Sequence, residues 1–141
     1  MLIALLYASY TDIKREEIPL WLFPSVSVLH TLIFYKSIVW KWSIIGLLIG
    51  VLSFTFLAVF FNGGGGDIIM MGTLGFVIGP KNFMYITIIS SILCLCFYIL
   101  KKVKKAPYVP FVALSYVFFL IGGLLYGFFN NRILEIRYFL L

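Results

Sequence analysis

Charged side chains are scarce in this sequence. Only 11% of its 141 residues are Asp, Glu, Lys or Arg, whereas an ordinary soluble domain has about 25%. Hydrophobic residues make up 63%, and the mean hydropathy is +1.12. The apolar runs are continuous and lack the alternation that is typical of a membrane β-barrel. This composition excludes an ordinary soluble domain and predicts an all-α integral membrane protein.

Thiols and imidazoles are also few, with two cysteines and one histidine. Cys94 and Cys96 lie two positions apart in one apolar run, which places them on roughly opposite faces of a helix and excludes a disulfide between them. His30 has no cluster of acidic or thiol partners and is interpreted as a packing residue. The sequence has no metal-ligand spacing, serine-nucleophile elbow or phosphate-binding loop, so neither a metal nor a cofactor is expected.

The apolar runs predict a bundle of six transmembrane helices, because one span takes about 20 residues. The first run lacks a basic n-region and a cleavage site, so we interpret it as a retained helix and not as a signal peptide. All of 1–141 is expected to form a single membrane-embedded domain without a separate soluble domain. The six helices are predicted at about 1–12, 19–35, 42–61, 67–79, 83–100 and 107–129.

Proline and glycine add local detail to this pattern. Pro19 suits the first turn of the second helix, and Pro24 is expected to kink that helix. A tight turn is predicted at 80–82. Three glycine pairs have the spacing that lets helix backbones pack closely, and we interpret them as seams inside the bundle: Gly46 with Gly50, Gly75 with Gly79, and Gly123 with Gly127.

Basic residues indicate the orientation of the chain. The net charge of +6 lies mostly in short loops, where it sets topology and does not point to nucleic acid. The compact Lys101–Lys105 cluster places the loops after the first, third and fifth helices in the cytoplasm and suits anionic lipid. The inverted orientation is the alternative. In the favoured orientation, Asp12 and Asp67 lie at the same cytoplasmic level of the membrane.

Asp12 and Asp67 are the only aspartates in the chain. Two carboxylates that share a site cannot both ionise easily, so one can activate a water while the other, protonated, polarises a carbonyl. A glycine run before Asp67 would let a substrate strand lie alongside the backbone or let the fourth helix swing. That run consists of Gly63, Gly64, Gly65 and Gly66.

Structural explanations for the same residues remain open. Asp12 could be an ordinary acid in a cytoplasmic loop. Asp67 could be the N-cap of the fourth helix. The glycines could form a flexible loop.

Three motifs resemble those of the type IV prepilin peptidases and the related preflagellin peptidases, which are intramembrane aspartyl proteases. Gly64-x-Gly66-Asp67 is similar to their GxGD motif. Asp12 followed by Ile18-Pro19 resembles their first motif. The stretch 107–114, which includes Pro107, Pro110 and Phe111, resembles their final motif, Pro-Phe-x-Pro-Phe-x-Ala-Leu. The motifs stand in the family's order and cover nearly the whole chain.

The resemblance implies an endopeptidase in which Asp12 and Asp67 activate water without a cofactor. It also implies a substrate, the precursor of a pilin or pilin-like protein, whose basic leader is cut at the cytoplasmic face of the membrane. Glu16 and Glu17 would attract that leader. Residues 107–111 would set the start of the last helix, where a broken helix start exposes backbone to the substrate.

Two departures from the family pattern bear on substrate contacts. Leu20 stands where the family often has Asn, and Ile69 stands where it often has Lys. No methyl-donor site is recognisable, so N-methyltransferase activity is not expected.

Two other functions remain possible. A small proton-coupled transporter would use the same acids as a relay, but would spread ionisable residues through the depth of the membrane. A catalytically inactive scaffold for pilus assembly would keep the fold without the chemistry. The sequence does not indicate the oligomeric state.

Overall fold

The computed structural model describes residues 1–15, 18–36, 38–61, 64–101 and 108–129. Within these ranges all regular secondary structure is helical, which confirms the all-α prediction. The described helices number five, one fewer than predicted, because the predicted fourth and fifth helices form one interrupted element. They are α1 (Leu2–Arg15), α2 (Leu22–Phe34), α3 (Trp40–Phe61), α4 (Gly65–Lys101) and α5 (Val109–Phe129).

Helix α4 is interrupted at Gly79. This residue has φ 74° and ψ 168°, a conformation that is essentially restricted to glycine. Pro80 follows it, and a proline suits the first turn of a helix because its missing N–H would have no acceptor there. Two helical segments result, 65–78 and 80–101. The turn predicted at 80–82 is therefore misplaced, since the break is at Gly79.

The second segment of α4 folds back along the first. Tyr108 shows this, because its hydroxyl hydrogen-bonds Ser90 at 2.9 Å and also interacts electrostatically with Asp67. A straight helix would separate Asp67 from Ser90 by about 35 Å. Both residues can lie near Tyr108 only if the chain reverses at Gly79. The reversal brings the middle of the second segment to the level of Asp67.

Gly79→Ala is expected to lower the free energy of unfolding by about 1–3 kcal/mol, because an alanine does not readily adopt this backbone conformation. An added Cβ would meet no atom within 4 Å, so the cost comes from the backbone alone. Gly122→Ala is the matched control, since Gly122 is helical and equally open. Thermal unfolding followed by circular dichroism measures both. Equal midpoints for the Gly79 variant and the parent protein would contradict the assigned conformation.

Helix α3 packs backbone to backbone against the first segment of α4. A Cβ at Gly46 would overlap the carbonyl oxygen of Gly75, and a Cβ at Gly75 would overlap that of Gly46. One turn further along α3, a Cβ at Gly50 would overlap the carbonyl oxygen of Met71. The two helices therefore run antiparallel along a glycine seam, as predicted for Gly46 and Gly50. Of the predicted pair Gly75 and Gly79, only Gly75 belongs to the seam, since a Cβ at Gly79 would meet no atom within 4 Å.

Helix α5 packs against both α1 and α4. Together these helices supply most of the buried apolar core, which therefore lies where three helices from distant parts of the sequence meet. Its fully buried members include Leu5 and Ala8 on α1, Met70, Met71 and Leu74 on α4, and Val109 and Val112 on α5.

Helix α2 begins later than predicted. The Leu22 amide donates to the Pro19 carbonyl at 3.2 Å, so Pro19 lies in a turn before the helix. Pro24 is the third residue of α2. Because N–H groups of the first turn have no acceptor within the helix, a proline is accommodated there. The kink predicted at Pro24 is therefore wrong.

The outer surface is strongly apolar, with exposed large hydrophobic side chains on every helix. The three tryptophans belong to it: Trp21 is 67% exposed, Trp40 43% and Trp42 55%. Among the described residues, α4 is the one helix long and apolar enough to cross a membrane. Apolar surface of this extent on an all-helical chain is consistent with a protein surrounded by lipid.

Candidate active site

Asp12 lies in the last turn of α1 and is half-buried. Its Oδ2 accepts a hydrogen bond from the Val109 backbone amide at 3.3 Å. Val109 is the first residue of α5, so this amide has no acceptor within its own helix. Asp12 supplies that acceptor and places a carboxylate at the positive end of the α5 dipole. The first and third sequence motifs therefore meet here.

Asp67 is the third residue of α4 and is also half-buried. Its carboxylate accepts a hydrogen bond from the Gly64 amide, and its own amide donates to the Gly64 carbonyl at 3.2 Å. The bond from the Gly64 amide to the Asp67 carboxylate joins the residue before the helix to the third helical residue, which is half of a capping box. Asp67 therefore caps α4 from the third position and not from the N-cap position considered above.

The two carboxylates are close enough to interact electrostatically, although 54 residues (67 − 12 − 1) separate them in the sequence. Asp12 lies at the N-terminus of α5, and Asp67 lies at the N-terminus of α4. Two helix dipoles therefore favour negative charge at this place and counteract the mutual repulsion. Each carboxylate therefore influences the protonation of the other.

The glycine run before Asp67 divides into two parts. A Cβ at Gly66 would lie 2.9 Å from Cβ of Ile18, whereas a Cβ at Gly65 would meet nothing within 4 Å. Gly66 therefore lets the Ile-Pro motif pack directly on the start of α4. Gly64 and Gly65 are exposed. Gly63 lies outside the described residues.

Tyr108 precedes α5 and connects several elements. Its hydroxyl lies 2.9 Å from Ser90 Oγ and 3.3 Å from Ser91 Oγ. Its ring packs against Phe54 of α3 at 5.7 Å between centroids. Burial raises the pKa of Tyr108 above its ordinary value, so the hydroxyl remains protonated. Tyr108 also interacts electrostatically with Asp67, and its backbone leads directly to the Val109 amide that bonds Asp12.

The rest of the third motif shapes the start of α5. Pro110 is the second residue of α5, where a missing N–H is tolerated. The Phe111 ring packs against Phe97 at 5.4 Å. The first amide of α5 is bonded to Asp12, so the free backbone predicted at this helix start is absent at Val109. Pro107, Glu16 and Glu17 lie outside the described residues.

Other candidate residues are not part of this site. His30 packs against Phe34 and Phe76, at 5.0 and 6.4 Å between ring centroids, as a packing residue would. Cys94 and Cys96 are both free. In the part of the chain that the structure describes, no three His, Cys, Asp or Glu side chains cluster as metal ligands.

Sequence reasoning did not find Tyr108, its serine partners or the Ile18–Gly66 contact. One signal was available for the first two, because Ser90 and Ser91 form an adjacent hydroxyl pair inside an apolar helix. Such a pair indicates a polar partner on a neighbouring element. Only the GxGD resemblance separates Gly66, a motif glycine, from Gly65, which occupies the variable position.

The three motifs therefore meet at one place, with Ile18 on Gly66 and the Val109 amide on Asp12. The family model described as "Type IV leader peptidase family" matches residues 1–99. Comparisons with curated proteins and with solved structures gave no match. Since the family match takes in both aspartate motifs and well over half of the sequence, the chain belongs to the type IV leader peptidase family.

Proposed function

We propose that this protein is a membrane aspartic endopeptidase that removes the basic leader from type IV prepilin-like precursors. The observation that carries the proposal is that Asp12 and Asp67 lie close enough to interact electrostatically, each bonded to an amide at the start of a helix. Two half-buried carboxylates in one place are suited to acid–base hydrolysis. Membership of the leader peptidase family supports the substrate class.

In this mechanism the aspartate pair holds one proton. The ionised carboxylate takes a proton from water, whose oxygen attacks the scissile carbonyl, while the protonated carboxyl donates a hydrogen bond to the carbonyl oxygen. The C–N bond then breaks, and the pair delivers a proton to the leaving amine. One water is consumed, and the pair returns to its starting protonation.

The proposed setting is a multi-pass protein in the cytoplasmic membrane. Each α4 segment would be a separate membrane helix, which gives six helices in all, and the first, 65–78, would reach only about 21 Å into the core. The second segment, 80–101, would reach about 33 Å, enough for the hydrocarbon core. Lys101 ends α4, and the basic residues around it would hold that end at the cytoplasmic face. The aspartate pair, level with Ser90, would lie about 16 Å inside that end, within the cytoplasmic half of the protein. Glu16 and Glu17 would attract the basic leader.

Cleavage of a synthetic precursor tests this function. The purified protein in detergent micelles is mixed with a peptide that joins a basic leader to an apolar helix, and the products are identified by mass spectrometry. We expect one cut at the end of the leader by the parent protein, and loss of that cut in Asp12→Asn and Asp67→Asn. A folded parent protein that leaves every such peptide intact would overturn the proposal.

Gly66→Ala is expected to slow cleavage by about 10- to 100-fold, because displacement of a reacting group by about 1 Å costs that much. The added Cβ must push Ile18 or the start of α4, which carries Asp67. Gly65→Ala makes the same change one residue earlier, where space is open, and should stay within a few-fold of the parent rate. Equal initial rates for the two variants would show that the Ile18 contact does not position the site.

A further inference from the structure

Tyr108 joins three helices at the aspartate pair. Its ring contacts Phe54 of α3, and its hydroxyl bonds Ser90 and Ser91 in the second segment of α4. Its backbone leads directly into Val109, the first residue of α5. The proposed chemistry assigns no step to this side chain, although it precedes the amide that bonds Asp12.

The hydrogen bonds of Tyr108 have a defined direction. The Ser90 hydroxyl donates to the Thr87 carbonyl at 3.0 Å, and a serine hydroxyl has only one hydrogen to donate. The Tyr108 hydroxyl must therefore be the donor in its 2.9 Å bond to Ser90. Its oxygen remains available to accept from Ser91 at 3.3 Å. The tyrosine is thus fastened to a buried serine whose own position is fixed by the helix backbone.

The backbone of Tyr108 fixes the first turn of α5. Its carbonyl accepts from the amides of Phe111 at 3.1 Å and Val112 at 3.2 Å. The amide of the next residue, Val109, donates instead to Oδ2 of Asp12. The side chain of Tyr108 is therefore held by α4, its carbonyl is held by α5, and the next amide is held by the carboxylate on α1.

We propose that Tyr108 is a positioning residue for the aspartate pair. By fastening the first turn of α5 to Ser90, it keeps the Val109 amide on Asp12 and so fixes Asp12 relative to Asp67. The inference rests on the proposed peptidase function for its kinetic consequence only. The hydroxyl acts through the backbone and does not need to touch the substrate.

Tyr108→Phe tests this role, because it retains the ring that packs on Phe54 and removes only the hydroxyl. We expect kcat for precursor cleavage to fall about 10- to 100-fold, with KM within about two-fold of the parent value, since the change displaces Asp12 without altering the substrate surface. Hydrogen exchange at the Val109 amide should become faster. Tyr116→Phe, the same change two turns further along α5, should alter neither quantity.

Ser90→Ala removes the same bond from the other side. It should reproduce the fall in kcat, and the double variant with Tyr108→Phe should be no slower than the slower single variant, because both changes remove one interaction. Multiplying effects in the double variant would overturn the proposal. The proposal would also be overturned if Tyr108→Phe matched Tyr116→Phe both in kcat and in the exchange rate of the Val109 amide.

The exchange measurement separates this inference from the proposed function. If the parent protein cleaves no precursor, the peptidase proposal fails while Val109 exchange still decides the role of Tyr108. Faster exchange in Tyr108→Phe, with Tyr116→Phe unchanged, supports the fastening of α5. Unchanged exchange in Tyr108→Phe overturns it, whatever the protein is found to cleave.

Discussion

Asp12→Asn and Asp67→Asn are each expected to lower the rate of leader cleavage by at least about 1,000-fold, a loss typical of removing one member of a catalytic unit. An asparagine amide can neither take a proton from water nor hold one for the leaving amine. Either substitution therefore ends the exchange of one proton between two carboxyls. Initial rates of precursor cleavage, measured by mass spectrometry on purified protein, test this.

Asparagine is the informative replacement because it preserves the structural role of each aspartate. Its side-chain oxygen can still accept the bond from Val109 at position 12, or from Gly64 at position 67. If the aspartates only cap α5 and α4, both variants will cleave at nearly the parent rate. Glu135→Gln removes a carboxylate outside the three motifs and should leave the rate unchanged.

The double variant adds a second criterion. Asp12→Asn with Asp67→Asn is expected to be no slower than the slower single variant, because residues that act as one unit lose their effect together. Undiminished cleavage by either single variant would remove the two-carboxylate mechanism.

Gly75→Ala is expected to lower the free energy of unfolding by at least about 1–3 kcal/mol, the usual cost of overpacking. The new Cβ would overlap the backbone carbonyl of Gly46, and a backbone group cannot rotate away as a side chain can. Helices α3 and α4 must therefore move apart. Because the displaced segment carries Asp67, cleavage should fall as well. Thermal unfolding by circular dichroism and the peptide assay measure the two effects.

The glycine seam offers its own controls. Gly46→Ala places the overlap on the other helix and should have a similar effect, since its Cβ would meet the Gly75 carbonyl. Gly122→Ala adds the same methyl group to α5 in open space and should unfold at the parent temperature or slightly above it. A parent-like midpoint for Gly75→Ala would show that α3 and α4 do not touch through their backbones.

Much of this architecture could be predicted because its determinants are local. Apolar run length predicted most of the helices, and counting loops brought Asp12 and Asp67 to one level. Their electrostatic interaction agrees with that count. The local pattern misplaced the reversal in α4, because Pro80 suggested a turn at 80–82 and the break is at Gly79. The positive φ falls on Gly79, the residue before Pro80, where the α conformation is disfavoured and glycine alone reaches positive φ at little cost. The Gly-Pro order was therefore an available signal for the break.

The contacts that complete the site could not be predicted, because they depend on helix rotation. Whether Tyr108 meets Ser90 is set by how α5 and the second segment of α4 turn about their axes. The GxGD resemblance singles out Gly66 over Gly65, but it does not reveal that Ile18 is the residue packed against Gly66. A single sequence fixes the composition of each helix but not which faces meet.

The outward position of the three tryptophans also determines which part of the protein their intrinsic fluorescence reports on. Trp21, Trp40 and Trp42 all lie on the exposed surface, so ultraviolet emission will originate at the boundary with the surrounding amphiphile and not in the packed interior. A bromine-labelled lipid should quench that emission efficiently. Exchanging one detergent for another should shift its wavelength, while disruption of the core around Met70 and Met71 should change it little.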